Sequence, residues 1–372
     1  MKVLHVAGAR PNFMKVAPVL RALKERGASN ILVHTGQHYD HKMSQAFFDD
    51  LDLPEPDHHL EVGSGSHAYQ TARIMETIEP VLLEHRPDLT IVVGDVNSTI
   101  AAALVCAKER LPIAHVEAGL RSFDREMPEE INRVLTDQIS DLLFTTSPEA
   151  LDNLVAEGVA KERVHFVGNP MIDSLLRHLD RANSSNIVSN LGADPHAYGL
   201  VTLHRPSNVD DPETLKGILE ALADLAREVP ILFPAHPRTV KMMASFGLDH
   251  LVDLRSGHVV SGRVSVIEPV GYLDFLKLMA DARVVLTDSG GIQEETTVLG
   301  VPCLTLRWNT ERPITCSMGT NRLIGPDPET IRKEGADAIR AGRSPDPKRP
   351  PLWDGRAGER IAEVVSTTLA AQ

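Results

Sequence analysis

The chain has 372 residues, too many for one ordinary hydrophobic core and suited to two domains. Hydrophobic residues make up 42% and charged residues 24%, as in ordinary globular proteins. Lys plus Arg number 38 against 51 Asp plus Glu, and the net charge of −13 argues against a nucleic-acid or anionic-membrane surface, though not against a small phosphorylated ligand.

Residues 1–6 run straight into a strand pattern without the apolar region of a signal peptide. No apolar run approaches the ~20 residues of a membrane helix. Cys106, Cys303 and Cys316 lack disulfide or metal-ligand spacing. A cytoplasmic protein is expected. In chain order, strands are predicted over 3–7, 31–35, 89–94, 113–116, 142–146 and 164–167, with helices such as 11–26, 68–85 and 128–140 between them. A polar, Asn/Ser-rich stretch at 181–197 reads as a hinge. The alternation restarts with strands at 200–204, 231–235, 264–269, 283–287, 303–306 and 322–324, and helices at 212–229, 272–282 and 327–342. A Pro/Arg/Lys-rich stretch, 344–351, precedes a last helix from 354. The expected fold class is α/β: two Rossmann-like parallel-sheet domains, 1–180 and 181–372, facing a cleft. Ligands should gather at the strand C-termini.

Polar residues cluster at those ends. In the second half, Asp288-Ser289-Gly290-Gly291 follows a strand and opens a helix, an arrangement suited to phosphate because amide N–H groups and the positive dipole end converge there. Tight packing alone would also call for glycine. Arg10 and Lys15 lie near the first helix start, where a cation makes sense against an anionic ligand; a solvated loop arginine and surface lysine is the other account. Asp95 either serves chemistry or, like Asn97, caps a helix. Glu117 sits in an apolar run, so it is functional or paired with Arg121 or Arg133. Glu129 and Glu130 fall in a helical first turn, where acids are favoured anyway. His204 and His236 end consecutive strands and are suited to phosphate contact or proton transfer, or else are satisfied structural histidines. Arg312 either clamps phosphate or pairs with Glu294 or Glu295.

Eight ordered segments carry a resemblance: Gly8-Ala9-Arg10-Pro11 to Lys15, Gly36-Gln37-His38-Tyr39, Gly94-Asp95, His115 to Arg121, Pro128 to Arg133, Thr202 to Arg205, Asp288 to Glu295 and Glu311-Arg312-Pro313. The sequence resembles the bacterial non-hydrolysing UDP-N-acetylglucosamine 2-epimerases from the first strand to about Gly325. The resemblance implies the GT-B fold, a cytoplasmic homodimer and interconversion of UDP-GlcNAc and UDP-ManNAc, supplying ManNAc units for cell-envelope polysaccharide. It implies elimination of UDP to 2-acetamidoglucal and re-addition, with no cofactor and no metal. Asp95, Glu117 and Glu129 would be the catalytic carboxylates, and His204 would assist departure of UDP. Arg10 and Lys15 would lie by the sugar and diphosphate, and Ser289, Gly290 and Gly291 by phosphate. Glu295 would meet the ribose, Phe275 and the backbone near Val270 the uracil, and Arg312 the sugar or leaving group; Arg133 and His236 are further carry-overs. Tyr39 departs from the Gln-His-Arg motif of a regulatory UDP-GlcNAc site although Gln70 remains, so activation by substrate is not implied. The rival readings are a hydrolysing 2-epimerase, a GT-B glycosyltransferase and a UDP-sugar sensor. The last helix, about 354–372, has relatives in which it packs back on the first domain.

Overall fold

Runs such as Leu89–Val93, fully buried along their length, require a parallel sheet covered by helices on both faces. The computed structural model describes residues 1–36, 48, 50–343 and 347–371. In it, β1 (Lys2–Ala7), β2 (Ser29–His34), β3 (His58–His59), β4 (Leu89–Val93), β5 (Ile113–Ala118), β6 (Leu142–Thr145) and β7 (Val164–Phe166) form one sheet in the order β3-β2-β1-β4-β5-β6-β7. A second sheet, of β8 (Gly199–Thr202), β9 (Ile231–Pro234), β10 (Val264–Ile267), β11 (Val284–Thr287), β12 (Cys303–Thr305) and β13 (Asn321–Leu323), has the order β10-β9-β8-β11-β12-β13. All strand pairings are parallel. These are the two Rossmann-like sheets of the GT-B class.

The helices that bear on the site are α1 (Arg10–Glu25), α2 (His67–His85), α3 (Asn97–Glu109), α4 (Pro128–Ile139) and α5 (Pro170–Asn183), then α6 (Pro237–Ser245), α7 (Tyr272–Ala280), α8 (Gly290–Leu299) and α9 (Ala357–Ala370). The chain divides into two compact units, Met1–Arg177 with Pro351–Gln372, and His178–Pro350. Among the described residues, no helix is long and apolar enough to cross a membrane.

The late segment of the first unit is held by specific polar contacts. Pro18 inside α1 has no N–H for the carbonyl of Met14, and the Ser174 hydroxyl donates to that carbonyl instead at 2.5 Å. Gly358 of α9 lies so close to Pro18 that a Cβ would stand 2.6 Å from the Pro18 carbonyl oxygen. The Asp173 carboxylate accepts from the amides of Ala357 (3.1 Å) and Gly358 (2.7 Å), capping α9. Burial pushes its carboxyl up to about 6 despite those hydrogen bonds. Trp353 is fully buried and donates from Nε1 to the Thr146 carbonyl at 2.8 Å.

In each sheet the strand order reverses once, between β1 and β4 and between β8 and β11. Crevices outside the strand C-termini at such points are where open α/β sheets bind ligands.

Candidate active site

In the first unit, the loops after β1, β4 and β5 meet. Asn12, in the first turn of α1, accepts from the amides of Gly8 and Ala9, each at 3.0 Å, and donates to the Val93 carbonyl at 3.2 Å. It thereby joins the β1 loop to the end of β4. Lys15 follows one turn later and is ion-paired with Glu117; both side chains are buried, at 6% and 4% exposure. Gly94 passes beside this pair with φ 67°, and a Cβ there would lie 3.2 Å from both the Glu117 carboxylate and the Lys15 ammonium. Only glycine fits that backbone without loss.

Glu117 itself has φ 73°, in the left-handed region, and the β5–β6 register shifts between Val116 and Ala118. A non-glycine residue there is strained, and such strain concentrates at functional turns. Glu117 pairs with Lys15, a partner that sequence proximity did not suggest. Arg121 instead binds Asp137 and Glu157, each at 2.7 Å. Arg133 grips one oxygen of Asp95 through Nε (3.0 Å) and a terminal nitrogen (2.7 Å) and also binds Glu130. The capping account of Asp95 and Asn97 fails: Val96 is the cap residue and α3 has no side-chain cap. Asn97 instead donates to Gln70 at 2.8 Å, and Asn132 donates to the Asp95 carbonyl at 2.9 Å. Glu129 is half-buried in the first turn of α4, and no hydrogen bond or ion pair among the described residues engages it. Arg10 opens α1, but its side chain, like the Gln37-His38-Tyr39 segment, lies outside the described residues.

In the second unit, the loops after β8, β11 and β12 converge on Asp288. This fully buried carboxylate accepts from the amides of His204 (3.0 Å) and Arg205 (2.9 Å), from Asn208 (3.1 Å) and from His204 Nδ1 (2.8 Å). Burial opposes its ionisation, but the hydrogen bond and charge of His204 and these amides hold it below the ordinary carboxylate range. The His204 side chain is 58% exposed, so the fixed Nδ1 leaves the ring available at Nε2. Ser289 precedes α8 without a side-chain cap, so the first amides of Gly290, Gly291 and Ile292 have no intrahelical acceptor. Gly290 has a helical φ; a Cβ there would collide with Arg312 and stand 2.5 Å from Glu311.

Arg312 is buried and paired with Glu294 (3.1 Å) and Glu311. Its pairing partner is thus Glu294, with Glu311 added. Glu295 is buried beside it, and desolvation first, then the Glu294 charge, push its carboxyl up to about 8 against a hydrogen bond from Tyr272. Phe275 on α7 and Val270 in the preceding loop are half-buried, and exposed His236 caps α6 by accepting from the Arg238 amide at 3.2 Å. Sequence reading assigns no role to Asn12, Asp137 or Asn132, and takes Asp288 only as part of the turn that opens α8. The signal was present for Asp288, an acid following a fully buried strand, but its four donors come from His204, Arg205 and Asn208, 80 or more residues earlier.

A family model described as UDP-N-acetylglucosamine 2-epimerase matches residues 21–366. A curated UDP-N-acetylglucosamine 2-epimerase of Methanocaldococcus jannaschii is 43% identical over 98% of this chain and 99% of its own. A UDP-2,3-diacetamido-2,3-dideoxy-D-glucuronate 2-epimerase of Pseudomonas aeruginosa is 41% identical over 98% and 99%. The crystal structure of the M. jannaschii UDP-GlcNAc 2-epimerase in complex with UDP-GlcNAc and UDP superimposes with a TM-score of 0.89 at 42% identity, covering 99% of this chain and all of that one. With that agreement running the length of both sheets, the chain belongs to the UDP-N-acetylglucosamine 2-epimerase family.

Proposed function

We propose that the protein interconverts UDP-N-acetylglucosamine and UDP-N-acetylmannosamine by inverting C2 of the sugar. The observation that carries this reading is the pair of carboxylates at adjacent strand ends, Glu117 in a strained turn against Lys15 and Asp95 held by Arg133. The C2 proton is weakly acidic, so its removal needs a positioned carboxylate, and the departing diphosphate needs charge stabilisation. In the proposed sequence, a carboxylate takes the C2 proton, the C1–O bond breaks with its electron pair going to UDP, and a C1=C2 double bond forms. UDP then re-adds at C1 while a proton returns to the opposite face of C2. Asp95, Glu117 and Glu129 supply the acid and base; Lys15 is paired with Glu117 and fixes its carboxylate in place.

In the second unit, His204 Nε2 and the first amides of α8 would receive the diphosphate, with Asp288 holding the imidazole in place. Glu295 would meet the ribose, Phe275 and the Val270 backbone the uracil, and His236 would lie nearby. Arg312 already has two carboxylate partners, so its part would be to order Glu294 and Glu311 around α8 as much as to attract phosphate. Arg10, a homodimer and a cytoplasmic setting belong to the same proposal.

The relative at 41% identity carries a different sugar in its name, which favours a second substrate, UDP-2,3-diacetamido-2,3-dideoxyglucuronate, on the same chemistry. Proton NMR in D₂O with each UDP-sugar tests both. Deuterium at C2 with the 2-epimer as product is expected. Free ManNAc with stoichiometric UDP would replace the reading with a hydrolysing epimerase, and unchanged spectra would remove it.

A further inference from the structure

Glu117 occupies a costly backbone conformation, and its restraint comes from a fully buried group outside the set of reacting residues. His115, two residues earlier, contacts the Asp137 carboxylate through Nδ1 at 2.6 Å and the Gly94 carbonyl through Nε2 at 2.8 Å. Asp137 also accepts from the Gly119 amide at 3.1 Å, two residues after Glu117, and from Arg121 at 2.7 Å. One carboxylate thus holds both flanks of the strained residue. The same imidazole reaches the carbonyl of Gly94, the residue before Asp95. His115 and Asp137 are both 0% exposed.

Carboxylate and carbonyl oxygens only accept hydrogen bonds, so both ring nitrogens must donate. We propose that His115 and Asp137 form an imidazolium–carboxylate clamp that positions Glu117 and the Gly94–Asp95 turn for the reaction, without touching substrate. Arg121 and Glu157 complete the group with one further charge of each sign. Burial opposes ionisation of Asp137, but the charges and hydrogen bonds of His115 and Arg121 outweigh it and hold the carboxyl below its ordinary range.

The inference rests on the proposed epimerase chemistry, so its test has one arm that does not. In the full-length protein with ¹⁵N-labelled histidine, the clamp requires an N–H on both His115 nitrogens, each read as a one-bond ¹⁵N–¹H coupling. A neutral ring with one bare nitrogen overturns it. In the kinetic arm, Asp137→Asn should lower kcat by at least ~30-fold while KM and UDP affinity stay within about threefold, the pattern of lost transition-state positioning. Folded Asp137→Asn protein with wild-type kcat overturns the proposal. So does a loss confined to KM. If the variant does not fold, the imidazole spectrum of the wild type decides alone. If the wild type turns over neither UDP-sugar, the epimerase reading fails and the spectrum still decides the clamp.

Discussion

Replacing Glu117 by glutamine tests the central pair of the first unit. The side chain keeps its shape and one acceptor oxygen but loses its charge, leaving Lys15 as a buried ammonium at 6% exposure. Breaking a buried ion pair from one side typically costs 3–5 kcal/mol; with the amide oxygen still accepting, the low end, about 3 kcal/mol, is expected. For a body of this size that is a fall of about 6–12 °C in the first thermal transition. Turnover should fall by ~10²-fold or more if Glu117 moves the C2 proton. Adding Lys15→Met removes the orphaned charge, so most of the lost stability should return while turnover stays low. That split separates fold from chemistry. Calorimetry and deuterium incorporation at C2 measure the two. A Glu117→Gln protein melting within about 2 °C of wild type would refute the pairing argument, and a double variant with wild-type turnover would remove Glu117 from the reaction.

Asp95→Asn should keep UDP affinity within several-fold and cut turnover by ~10²-fold; wild-type turnover would exclude Asp95. His204→Ala should slow UDP departure and lower kcat, and an unaltered rate would make the histidine structural. Gly290→Val should abolish UDP binding and also lower the melting temperature, because the new Cβ meets Arg312 and Glu311; calorimetric titration with UDP checks it, and retained affinity would place the nucleotide elsewhere. Asp173 binds its proton more tightly folded than unfolded, with its value raised from 3.8 to about 6, so its contribution is greatest below about pH 4 and is lost as the pH rises towards 6. The stability of Asp173→Asn relative to wild type should therefore climb over that range, by up to about 3 kcal/mol at 1.36 kcal/mol per unit; a flat difference in denaturation free energy would refute it.

Both sheets were legible because buried parallel strands read as apolar runs, and the observed strand and helix limits fall within a few residues of the periodicity. The positions of the candidate residues at strand ends follow from the same pattern. Their partners do not. Lys15 and Glu117 lie 102 residues apart and meet because β1, β4 and β5 are consecutive in the sheet, an order that local pattern leaves open. Glycine was readable at 290 but its reason was not: the crowding there comes from Arg312 and Glu311, side chains of a later loop. The two-residue strand β3 has too little length to show a period at all.

Trp353 and α9 have a bearing on biosynthesis. They belong to the body formed by residues 1–177, yet 178–350 is translated before them. The leading portion of the polypeptide must wait, with the flank of α1 around Pro18 bare, while the trailing portion can already close. Nascent chains halted near residue 350 should therefore present the earlier-made half, not the later one, to chaperones and proteases.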